Sequence, residues 1–173
     1  MFSVVGTGDD DPMSVGCNRH DSKPAMSERI SNAESGERAE QFVVEKVRCP
    51  SCGSRLHRYG GNRPLRDVLC SRCDFQAQVK SIRAPARNRI RGAGPRMKGL
   101  KESGGMVPAH FFVWEWNAAV RSARAIDFVP FIPWSALDFR VLPETMSRPL
   151  DRGRIRVEYH GILNLPRIRV YEA

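Results

Sequence analysis

A chain of 173 residues with 41% hydrophobic content can build one domain of ordinary size with a true core, plus tails. No apolar run approaches the roughly 20 residues of a membrane-spanning helix, and the N-terminus lacks the basic start, apolar stretch and cleavage site of a secretory signal. The net charge of +9 suits a polyanion, with a soluble basic surface as the plain alternative.

The charge is uneven along the chain. Residues 1–35 hold six acids (Asp9, Asp10, Asp11, Asp21, Glu28, Glu34) against three bases (Arg19, Lys23, Arg29), a net of −3, so the remainder carries +12. Residues 1–33 are Gly-, Ser- and Asp-rich without hydrophobic periodicity and are expected to be a disordered tail. Residues 34–173 are expected to form the folded domain. In a reducing cytoplasm, the expected compartment, Cys17 in the tail reads as a spare thiol.

In SGERAEQFVVEKV, Ala39, Phe42, Val43 and Val47 recur at helical spacing, so a helix is expected over 35–47 with Ser35 as its N-cap. Glu37 and Glu40 share one face of it. Two pairs, Cys49-Pro-Ser-Cys52 and Cys70-Ser-Arg-Cys73, follow, separated by 17 residues. Each pair sets two thiolates on a tight turn, and together they supply four soft ligands for tetrahedral Zn2+. Four thiolates leave no open position, so this zinc is structural. It would tie the basic loop 54–66 to the sheet.

The second pair falls where a hairpin turn belongs, between strands expected over 65–69 and 74–82. FQAQVKSI alternates strictly, with Phe75, Ala77 and Val79 on one face and Gln76, Gln78 and Lys80 on the other. The hairpin would bring Asp67 across from that second face. An acid, a second oxygen donor and a lysine two residues on is a pattern used to hold Mg2+ against a phosphodiester, although an alternating polar strand also occurs in any half-exposed sheet.

From Arg83 to Lys101 there are seven bases and no acid, and Arg83, Arg87, Arg89, Arg91, Arg96 and Lys98 are the candidate phosphate contacts. Residues 84–108 read as loop with one short helix; strands are expected over 110–116 and 125–132 and in the two arginine-rich runs near the end. Phe112, Trp114 and Trp116 alternate, with Trp134 further on, and read first as core and second as a stacking surface for a flipped base. His110 and His160 read as structural hydrogen-bonding residues without a partner at metal-ligand spacing.

The run CPSCG…GGNRPLRDVLCSRCDFQAQVKS resembles the catalytic core of PD-(D/E)XK endonucleases of the DpnI-type, Dam-replacing branch, which interleave a four-cysteine zinc site with the catalytic hairpin. The resemblance covers residues 35–82 most specifically and implies an α/β (α+β) restriction-endonuclease-like core, a mixed sheet flanked by helices with an embedded zinc ribbon. It implies that Asp67, Gln78 and Lys80 stand at the motif positions, that Asp67, Gln78 and the Val79 carbonyl would hold Mg2+, and that DNA bearing methylated adenine is the substrate. Gln78 stands where the family has glutamate, at the loss of one negative charge, and Glu40 is the helix residue best placed to compensate. Cutting both strands requires two centres, so a homodimer or a partner subunit supplying specificity belongs to this expectation, as does nucleoid association. The competing readings are a zinc-stabilised DNA-binding module that cleaves nothing and an interaction subunit of a restriction, repair or transposition complex.

Overall fold

The computed structural model describes residues 30–60, 65–83, 89–90, 94–145 and 152–173. Most of the expected tail and the basic positions Arg87 and Arg91 lie outside these residues; Arg89 is described through its backbone. Among the described residues, no helix is long and apolar enough to cross a membrane.

Helix α1 runs over Asn32–Lys46, and its N-cap is Ser31, whose hydroxyl accepts from the Glu34 amide at 3.1 Å. The helix therefore starts three residues before the expected start. Ser31 with Glu34 three residues on is the spacing of a capping box, a stronger start signal than Ser35, which is buried within the helix. Ala39, Phe42 and Val43 form the buried stripe.

The described strands are β1 (Leu56–Arg58), β2 (Val68–Cys70), β3 (Gln76–Ile82), β4 (Arg89–Ile90), β5 (Ala109–Trp114), β6 (Ala125–Val129), β7 (Leu137–Val141), β8 (Ile155–Tyr159) and β9 (Ile168–Glu172). Six of them form a mixed sheet in the order β1-β2-β3-β5-β6-β9, and β4-β8-β7 form a second, smaller one. Only β3 and β5 run parallel, which requires a crossover, and helix α2 (Gly94–Glu102) lies in that connection. The fold is thus mixed α+β, with a curled sheet and few helices.

The second sheet was not anticipated. Its β8 falls in the first arginine-rich run, where a strand was expected, whereas β7, LDFRV, lies outside the expected strands. Helix α2 abuts it closely: a Cβ on Gly94 would stand 2.0 Å from the Ile155 carbonyl oxygen, so a glycine is needed there.

Two cores follow from this layering. On one face of the large sheet, α1 covers Ala77, Val79, Phe111 and Val113. On the other, Ile82, Phe112 and Trp114 pack with Met97 of α2 and with Val157 and Tyr159 of the second sheet. Trp116 does not continue the Phe112–Trp114 row. Glu115 adopts a left-handed φ of 52°, and Trp116 crosses to the α1 core, where its indole N–H donates to the Ser35 carbonyl. All three aromatics are buried at 5% exposure or less, so the row packs core and offers no open stacking face.

Candidate functional site

The zinc-type module grows out of the C-terminal end of α1. The Cys49 amide donates to the Ser54 carbonyl and the Gly53 amide to the Cys49 carbonyl; Gly53 has φ 70°, which a side chain would strain. The second turn closes when the Cys70 amide donates to the Phe75 carbonyl. Together the turns bring the sulfurs of Cys49, Cys52, Cys70 and Cys73 within 4.8 Å of one another, with Cys49–Cys73 and Cys52–Cys70 each at 3.5 Å. Four sulfurs around one Zn2+ at about 2.3 Å would be separated by about 3.8 Å, so this soft donor cluster could hold a zinc ion. Hydrogen bonds from Ser54 pull the Cys52 thiol down to about 6.

One strand pair away, the polar residues singled out in the sequence lie close together. β2 pairs with β3 through Val68↔Ala77, and the Asp67 amide donates to the Ala77 carbonyl. Beyond that point the chain turns away, and the Val79 amide donates instead to Asp67 Oδ2 at 2.7 Å. Asp67 is held where the two strands part, and Val79 meets it through its N–H. Burial raises the Asp67 pKa above the usual carboxylate range, against the Val79 hydrogen bond and the Lys80 charge.

Gln78 and Lys80 share the face of β3 that looks away from α1, opposite His110 and Phe112 of β5. Burial lowers the Lys80 pKa, while Asp67 and Glu40 oppose that shift. Glu40, half-buried on α1, receives the Arg58 Nε at 3.2 Å; its pKa is raised by burial and by Asp67. Glu37 is exposed. Gln78 is 5% exposed, and its Oε1 is a buried oxygen with no hydrogen-bond partner. A buried acceptor left without a donor costs about 1–3 kcal/mol, so it calls for an explanation.

The floor beside Lys80 comes from the second sheet, which sequence reasoning missed. His110 Nδ1–H donates to the Pro108 carbonyl at 2.7 Å, which leaves Nε2 to accept from the Tyr159 hydroxyl at 2.8 Å. Burial and the Lys80 charge push the His110 pKa down to about 3, so the ring is neutral at physiological pH. Burial and the Asp67 charge push the Tyr159 pKa well above its ordinary value. No local pattern in RIRVEYH marks its tyrosine as the partner of a histidine 49 residues earlier.

His160, expected to lack a ligand-spaced partner, stands 3.6 Å from Asp138 and clusters with Asp138 and Glu158. Arg140 already binds both acids, at 2.9 and 3.1 Å, so the cluster contains its own cation. Among the basic candidates, Arg83, Arg96 and Lys98 are exposed, and Lys98 approaches Glu102 at 3.7 Å.

Residues 27–102, a span containing the four cysteines, Glu40, Asp67, Gln78 and Lys80, match the model of a known family, DpnI, described as the Dam-replacing family. No curated protein matches the chain.

Proposed function

We propose, from the match of residues 27–102 to the DpnI, Dam-replacing family, that the chain is a restriction-like, Mg2+-dependent DNA endonuclease with a PD-(D/E)XK core. The observation that carries this reading is the buried, unpartnered Oε1 of Gln78 beside a desolvated carboxylate. Asp67, Gln78 and Glu40 form a set of hard oxygen donors of the kind Mg2+ takes, and positive charge there would relieve the burial that raises both carboxylates. Asp67 and Gln78 would hold the ion, with the Val79 carbonyl as a third ligand and Glu40 restoring the charge that Gln78 lacks. When bound, the ion supplies polarisation of the phosphodiester and a more acidic water.

Lys80 would serve the attacking water. A lysine whose pKa is lowered by burial can take a proton from the attacking water or fix that water by hydrogen bonding. His110, neutral and tied to Tyr159, bounds the pocket without adding a competing charge. The cysteine module would carry structural Zn2+, and Arg83, Arg87, Arg89, Arg91, Arg96 and Lys98 would contact phosphates. Preference for methylated adenine rests on the family alone.

Plasmid cleavage tests the reading, on Dam-methylated and unmethylated DNA with Mg2+ or Mn2+. Metal-dependent nicking is expected for the wild type, with losses of about 10²–10⁴-fold in Asp67→Ala and Lys80→Ala. DNA that binds and stays intact would instead identify a DNA-binding module without a nuclease centre. Gln78→Glu is expected to keep or raise activity, and complete loss would overturn the ligand assignment. Equal cutting of both plasmids would remove the methylation preference.

A further inference from the structure

We propose that the cysteine module is itself a DNA-gripping surface, its outward arginines holding the backbone of the strand that enters the Asp67–Lys80 site. This rests on the DNA reading above and adds a contact surface to the basic segment 83–101.

The pairing registers place these side chains. His57 lies opposite Leu69, and Leu69 opposite Gln76, so His57, Leu69 and Gln76 form one row across the sheet. Gln78 and Lys80 follow Gln76 at intervals of two along β3 and share its face. Arg55 precedes His57 by two, and Arg48 pairs with Arg55 in an antiparallel bridge, so both point the same way. Arg48, Arg55 and His57 therefore stand on the face that carries Gln78 and Lys80. Arg72 adjoins them, because Ser71 Oγ lies 3.4 Å from His57 Nε2.

This part of the face is open. The second sheet packs over β5 and β6 through Phe112, Trp114 and Val129, whereas Arg48, Arg55, His57, Arg72 and Gln76 are exposed. Its charge is also uncompensated. Several arginines elsewhere face carboxylates: Arg38 with Glu34, Arg58 with Glu40, Arg121 with Glu45, Arg124 with Glu115 and Arg140 with Asp138; Arg66, Arg83 and Arg96 are exposed without such a partner among the described residues. Arg48, Arg55 and Arg72 have no carboxylate partner among the described residues, although Asp74 lies within the same module. Unpaired guanidiniums on an open, rigidly stapled surface are suited to phosphate oxygens, which accept their hydrogen bonds without regard to sequence.

The spacing suits one strand. Neighbouring strands of a sheet lie about 4.8 Å apart and residues rise about 3.3 Å along each, so Arg55, two strands across and four residues back from Gln78, is about 16 Å from it, and Arg48, one strand further, about 20 Å. With one phosphate per about 3.4 Å of axis on each strand, that reach corresponds to about five to six nucleotides. The module would hold the strand on one side of the scissile bond.

The test is the salt dependence of DNA binding by the full, zinc-loaded chain with no added Mg2+, for wild type and for Arg48→Gln/Arg55→Gln/Arg72→Gln. Each lost phosphate contact lowers the slope of log K against log salt by about one, so a drop of two to three is expected, with zinc content and melting temperature unchanged. The control Arg121→Gln/Arg124→Gln/Arg140→Gln removes the same charge from arginines that face carboxylates and should move the slope by less than one. If the wild type binds and cuts DNA while the two triple variants behave alike, the grip is overturned and the nuclease reading stands. If the wild type binds no DNA, the nuclease reading and the grip fall together.

Discussion

The two ends of the large sheet both bury charged and polar groups, with opposite outcomes. At the β6–β9 end, Asp127 is 1% exposed, yet it accepts from the Trp114 indole at 2.7 Å and faces Arg167 and Arg169. At the β2–β3 end, two carboxylates have raised pKa values, a lysine has a lowered one, and the Gln78 oxygen has no donor. A buried charge with every partner in place stabilises one arrangement of the chain. A buried cluster with an unpartnered oxygen carries a cost to the fold, which on the proposed function a bound cation would relieve.

Substitutions should therefore separate stability from activity in opposite ways at the two ends. At neutral pH the largest stability effect is expected for Asp127→Ala, which leaves the indole N–H buried without an acceptor. Because the two arginines can turn to solvent, the loss should fall toward the lower end of about 3–5 kcal/mol, read from denaturant unfolding. Metal-dependent cleavage by the remaining folded fraction should be unchanged. A loss of cleavage in fully folded Asp127→Ala protein would erase the contrast.

A second effect depends on pH. His110 titrates at about 3 in the fold against its ordinary 6.5, so between those values the unfolded chain binds a proton that the folded chain refuses. Stability should fall as pH drops through that window, by on the order of 5 kcal/mol in total, and change no further on this account below it. Asp67 and Glu40, whose pKa values are raised, act in the opposite direction in the acid range. His110→Gln should flatten the acid limb measured by unfolding at stepped pH. An unchanged limb would mean that another group carries it.

The same contrast explains what the sequence revealed. Everything local was legible: two CxxC turns, the period-2 alternation that puts Gln78 and Lys80 on one face, and the apolar stripe of α1. A hairpin stapled at its turn also fixes which strands are neighbours, so the proximity of Asp67 to β3 followed from short-range pattern. The second sheet was not legible, because its three strands come from distant segments and its inward residue, Tyr159, looks like any strand aromatic. The stacking row failed for a single-residue reason: Glu115 in the left-handed region turns Trp116 to the other core, and no alternation rule registers a reversed φ. The helix start differs from expectation because Ser31 and Glu34, at capping-box spacing, lie ahead of Ser35.

The smallest stability change is expected at Gln78, and its sign is informative. Gln78→Leu keeps the side-chain volume close and removes a buried oxygen that has no donor. If the oxygen is an unrelieved cost of the empty fold, the metal-free variant should be as stable as the wild type, or more stable by up to about 1 kcal/mol. The same substitution should abolish any stabilisation of the protein by millimolar Mg2+ in a thermal melt, because a ligand that binds only the folded state raises its melting point. Zinc content should not change, since the cysteine cluster lies at the other end of the hairpin. A clear loss of metal-free stability would mean that the Gln78 amide is already engaged structurally, and the β2–β3 end would then resemble the β6–β9 end.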